Sequence, residues 1–142
     1  MKTKKNHFPV LSGLFLLCIL VISCSKKDAA PKYSDLIVGK WYIKKVVGND
    51  GTIYIPKNSC EEKSAFEFTK NKEFSFFTYS QSGGLCKSTI VEGTYSIIED
   101  EKQIAISDET TSEILDIKKL DTKTLEIYAP SISYTYIMER DI

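Results

Sequence analysis

The chain has 142 residues, with 19 basic and 19 acidic side chains, which leaves room for a leader segment and one domain. Its single histidine is His7, so the body of the chain cannot build a histidine-based triad, proton shuttle or metal site. No basic stripe breaks the charge balance, which argues against nucleic acid as a partner.

The first element in chain order is a leader. Lys2, Lys4 and Lys5 precede an apolar run from Leu14 to Ile22 that ends at Ser23-Cys24. A basic start, a short apolar core and a small residue before the break describe a secretory signal. A membrane-spanning helix needs ~20 apolar residues; this run is shorter, and Pro9, Ser12 and Gly13 interrupt its start. Val21-Ile22-Ser23-Cys24 resembles the lipobox of bacterial lipoproteins. That resemblance implies removal of residues 1–23 and lipidation of Cys24, where several acyl chains anchor stably and one would hold only marginally. Ordinary cleavage nearby, with Cys24 merely buried, is the competing reading. The removed part takes three lysines and no acids, so the remaining domain is mildly acidic and lacks histidine altogether.

Cys18 lies in the apolar run and Cys24 takes the lipid, which leaves Cys60 and Cys86 as an even pair in an exported protein. A disulfide is the expected state, worth ~3 kcal/mol in the chain-entropy picture. Two free thiols or a redox pair are the alternatives, and no Cys-x-x-Cys spacing supports the latter.

Residues 24–35 read as the lipidated cysteine and a flexible tether, polar and broken by Pro31, with a reach of ~35–40 Å at ~3.3 Å per residue. Ser25-Lys26-Lys27-Asp28 resembles sorting signals that send lipoproteins to the outer membrane or across it, so the expected location is the cell envelope, anchored to the outer membrane.

Residues 36–142 form the domain. β-branched and aromatic residues alternate with polar ones, and helical periodicity is not sustained. The pattern predicts eight strands at 40–47, 64–69, 73–80, 88–97, 103–108, 112–120, 124–129 and 132–140. Turn chemistry separates them: Gly48-Asn49-Asp50-Gly51, Lys70-Asn71-Lys72, Gly83-Gly84, Asp121-Thr122 and Ala129-Pro130-Ser131. The fold class is all-β, a small up-and-down antiparallel barrel. Folding the chain at Asn71 pairs Phe68 with Phe74 and Phe66 with Phe76, so four phenylalanines share the inward face. Counting up and down places Cys60 and Cys86 together at an open end, and Trp41 and Arg140 together at a closed one.

Gly39-Lys40-Trp41 at the start of the first strand matches the Gly-x-Trp of the lipocalin superfamily. In that superfamily the tryptophan plugs the barrel base beneath an arginine from near the far end, which implies that Gly39, Trp41 and Arg140 close this barrel. The stretch from Leu36 to Arg140 resembles the lipocalin-like domain of small Gram-negative lipoproteins. It shares the Gly-x-Trp, a cysteine before Phe66-x-Phe68, a second cysteine after the third strand, and Gly93-Thr94-Tyr95. Gly93 would let its strand bend around a tight barrel.

The resemblance implies binding of a small apolar or amphipathic ligand, without catalysis, cofactor or metal. Candidate lining residues are Phe66, Phe68, Phe74, Phe76, Tyr95, Tyr134, Tyr136 and Met138, and Ile53, Tyr54 and Ile55 form a candidate lid. A filled core of the same residues satisfies the same pattern, because eight strands enclose either packed side chains or one small ligand. The alternative function is an interaction module that presents its open-end loops to a protein or glycan partner. Carboxylates such as Glu61-Glu62 and Glu99-Asp100-Glu101 sit in turns, where solvated charge explains them. Replacement Cys24→Ser is expected to move the protein from the membrane to the soluble fraction on cell fractionation; retention would refute the lipid anchor.

Overall fold

The computed structural model describes residues 31–98 and 100–140. The leader, Cys24 and the first part of the tether lie outside the described residues. The chain runs α1 (Tyr33–Leu36), β1 (Gly39–Gly48), β2 (Ile53–Tyr54), a 3-10 turn (Glu61–Lys63), β3 (Ala65–Phe68), β4 (Glu73–Ser82), β5 (Leu85–Ile98), β6 (Gln103–Ser107), β7 (Ser112–Leu120), β8 (Thr124–Ala129) and β9 (Tyr134–Glu139). All pairings are antiparallel. From β3 to β9 each strand pairs with the next, and β1 pairs with both β3 and β9, which closes an eight-stranded barrel. The eight expected strands are all present.

The phenylalanine hairpin has the register read from the sequence: Phe66 opposite Phe76, Glu67 opposite Ser75, and Phe68 opposite Phe74. Phe66 and Phe76 stack with ring centroids 4.3 Å apart. Such cross-strand aromatic pairs contribute about 0.2–1 kcal/mol each. Two register shifts, between Ile43 and Lys45 against β9 and between Ile117 and Lys119 against β8, switch which residues face inward. Trp41 and Ile43 thus face the core below the first shift, while Val46 does so above it, opposite Tyr136. An extra residue in one strand bends and twists it, as a small closed barrel demands.

Two expectations change. The end of the tether, expected to be flexible as far as Asp35, instead folds into α1, and the Tyr33 N–H donates to Glu101 Oε2 at 2.9 Å. The cause is apolar burial: Ile37 is fully buried, and Tyr33 and Leu36 pack against the same core, so this segment caps the barrel base. Of the candidate lid Ile53, Tyr54 and Ile55, the first two form a ninth strand, with Ile53 opposite Val47 and Tyr54 opposite Val46. β3 is four residues long and β1 ten, so β3 reaches only the lower half of β1, and β2 occupies part of the remaining edge.

Cys60 and Cys86 form a disulfide with Cα atoms 5.6 Å apart. It ties the turn before β3 to the protruding end of the β4–β5 hairpin, where Cys86 pairs with Gln81. Gly93 faces Phe74 at the point where β6 begins to pair with β5. A Cβ there would collide with the Ser107 carbonyl oxygen and come within 2.7 Å of the Phe74 ring. Close approach of two neighbours, rather than a bend alone, is what demands glycine here.

Gly93→Ala is expected to lower stability by about 1–3 kcal/mol through overpacking; an unshifted denaturant midpoint would refute the close-approach account. The double variant Cys60→Ser, Cys86→Ser should remain a folded barrel but lose ~3 kcal/mol, measured by chemical denaturation against the oxidised protein.

Candidate functional site

At the closed end, Arg140 lies over Trp41 with its guanidinium carbon 3.8 Å from the ring centroid. The Trp41 indole N–H donates to the Ile37 carbonyl at 2.8 Å, and Arg140 donates to the carbonyls of Leu36 and Val38. Gly39 adopts φ +136°, a conformation L side chains rarely take, beneath the Arg140 guanidinium. These contacts seal the base, so any site for a ligand must lie towards the other end.

Above the base, Phe68, Leu125 and Met138 are almost fully buried, and Phe68 meets Tyr95 edge-on at 5.0 Å. The Tyr95 hydroxyl donates to the Thr69 carbonyl at 2.9 Å, and burial raises its pKa. This layer is packed side chain. Phe68, Tyr95 and Met138, expected as lining residues, therefore form the plug beneath the cavity.

The mouth of the barrel is not filled. A cavity of about 190 Å³ rests on Phe74, Leu115 and Ile127. Its walls are Phe76, Val91, Ile106, Ala129 and Tyr136, and Asp108, Thr111, Glu113 and Ile132 complete the lining. Phe66, Phe76 and Tyr136 form one aromatic wall: Tyr136 meets Phe66 edge-on at 5.4 Å and Phe76 at 6.1 Å. Burial, and then the charge of Glu113, push the Tyr136 hydroxyl up, which keeps it neutral at physiological pH. The structure thus brings Phe66, Phe74, Phe76 and Tyr136 together around one cavity. Tyr134 lies at the rim against Gly48 and does not line it. Ile53, Tyr54 and Ile55 do not line it either; they stand on the outer wall, 57%, 42% and 56% exposed.

The sequence reading missed Glu113. It pairs with Ile106, two residues before the buried Leu115, and so occupies the inward row of β7. Alternation counted back from Ile117 and Leu115 would have placed it there, since residues two apart share a face. Ser131 Oγ donates a hydrogen bond to Glu113 Oε1. Asp108, also at the mouth, accepts from the N–H groups and hydroxyls of both Thr110 and Thr111, which lowers its pKa to about 2. A larger hollow of about 460 Å³ crosses β5, β6 and β7, but much of its lining, including Ser96, Ala105 and Ile114, comes from the row opposite to the core residues.

Residues 37–127 match a family model described as a lipocalin-like domain. A lipocalin-like protein from Bacteroides uniformis has a similar structure, with a TM-score of 0.57 at 17% identity, covering 74% of this chain and 98% of that one. Bovine odorant binding protein, as a deswapped triple mutant, aligns at a TM-score of 0.42 and 15% identity over 75% of this chain and 74% of its own. No curated protein matches the sequence significantly.

Proposed function

The chain belongs to the lipocalin-like domain family, and on that premise we propose that it is a membrane-anchored lipoprotein whose barrel binds a small apolar or amphipathic ligand. The observation that carries this reading is the aromatic-walled cavity at the mouth, closed below by a packed layer. Its size bounds the occupant. About 190 Å³ is nearer the ~150 Å³ that accommodates benzene than the ~300–1,000 Å³ of drug-sized pockets. One ring or a short alkyl chain fits; a long acyl chain does not. A non-catalytic role is supported by the lipocalin-like family, and a location in the cell envelope by the lipobox-like Val21-Ile22-Ser23-Cys24.

A second reading rests on Ile53, Tyr54 and Ile55. Three exposed apolar residues, two on the added strand and Ile55 just after it, would suit contact with a protein or glycan partner.

Filling the cavity separates the two. Ala129 is buried and lines it, so Ala129→Leu is expected to weaken binding of a small aromatic probe such as 2-phenylethanol at least about tenfold while leaving the barrel folded by circular dichroism. Unchanged probe affinity in that variant, or an unliganded protein that binds no small molecule at all, would sink the cavity reading in favour of the outer strand. Native mass spectrometry of the protein extracted from its own membrane gives a second readout, a co-purifying small molecule.

A further inference from the structure

Glu113 is a carboxylate in an otherwise apolar inward row, opposite Ile106 and two residues from buried Leu115. Glu113 is only half-buried and stands at the mouth, so its carboxylate is within reach of both solvent and an occupant of the cavity. Ser131 gives it one hydrogen bond, at Oε1. An ionised carboxylate can accept about four. None of the ion pairs among the described residues includes Glu113. Among the described residues the cavity lining contains no lysine, arginine or histidine; its charged groups are Glu113 and Asp108, both acidic. Asp108 has its acceptors committed to Thr110 and Thr111, so it adds negative potential at the mouth, while Glu113 keeps acceptor capacity free.

We propose that this cavity selects small amines, with an aromatic or short alkyl body on the Phe66–Phe76–Tyr136 wall and a cationic head group donating to Glu113, and that it rejects carboxylates. The inference rests on the ligand-binding reading and specifies the ligand's head group. Three features agree on it. The free acceptor of Glu113 calls for a donor. Phe76 and Tyr136 line the same cavity, and aromatic rings attract a cation placed over their faces. The second carboxylate, Asp108, repels an anionic head group entering the same mouth. A fatty acid would meet two like charges and a cavity too short for its chain.

The test compares three probes that share a phenylethyl body, 2-phenylethylamine, 2-phenylethanol and 3-phenylpropanoate, by isothermal titration on the full chain in nanodiscs, with empty nanodiscs as the blank. At pH 7 the amine is expected to bind about tenfold or more tighter than the carboxylate, with the alcohol between them. Glu113→Gln keeps the side chain's shape and an acceptor for Ser131, and should bring the amine and the alcohol to within about threefold of each other. A carboxylate that binds as tightly as the amine, or an amine preference that persists in Glu113→Gln, overturns the proposal. If the alcohol binds and the amine has no advantage, head-group selection fails while the cavity reading survives. If none of the three binds, both fail together.

Discussion

The guanidinium of Arg140, at the end of the chain's last strand, lies on the face of Trp41 in its first strand and donates to the carbonyls of Leu36 and Val38 just before it. Those are the two segments that must meet for a sheet to become a barrel, because β1 and β9 are its first and last full strands. An arginine on an indole face contributes ~0.5–2 kcal/mol, a modest amount beside the core. Its value lies in position. It satisfies the carbonyls of Leu36 and Val38 just before β1, and it holds α1 and Ile37 over the floor, beneath the packed layer of Phe68, Tyr95 and Met138.

Strand length shapes the opposite end. β3 has four residues, while β4 and β5 have ten and fourteen. The β4–β5 hairpin therefore extends beyond its neighbour, with no β3 partner past Phe77. Two devices occupy the resulting gap: β2 pairs with the upper part of β1, and the Cys60–Cys86 bridge fastens the hairpin to the turn before β3. An edge left unpaired invites association with another chain, and a covalent tie limits how far this one can open. The mouth is thus framed by constrained elements, which suits a cavity that persists without a ligand.

Between the two ends, the residues inside the barrel divide by level. Phe68, Tyr95 and Met138 pack into a plug, and Phe66, Phe74, Phe76 and Tyr136 bound a cavity, although all seven are aromatic or apolar residues on the same inward rows. Pattern alone treats them alike. What separates them is their level: α1, Trp41 and Arg140 close off the lower set, whereas the upper set borders the cavity at the mouth. Glu113 belongs to this division as well. A carboxylate on an inward row is tolerable only near the mouth, where Ser131 and solvent reach it.

By itself the sequence determined the elements whose signals are local. Strict alternation around a turn at Asn71 set the Phe66–Phe76 and Phe68–Phe74 pairs, and turn residues at regular spacing set the number of barrel strands. Strand parity then placed Cys60 with Cys86 at one end and Trp41 with Arg140 at the other, since each strand of an up-and-down barrel reverses the last. Three things only the tertiary structure decided. Ile53-Tyr54-Ile55 has no polar alternation to mark a strand, and Ile53–Tyr54 became one because β3 is too short to pair with all of β1. Tyr33–Leu36 became a helix because the barrel base needed apolar cover. The cavity, and the facing of Glu113 into it, depend on which volumes the inward side chains leave unfilled. Alternation along a strand assigns a residue to a face, but only packing across the barrel says whether that face meets a neighbour or an opening.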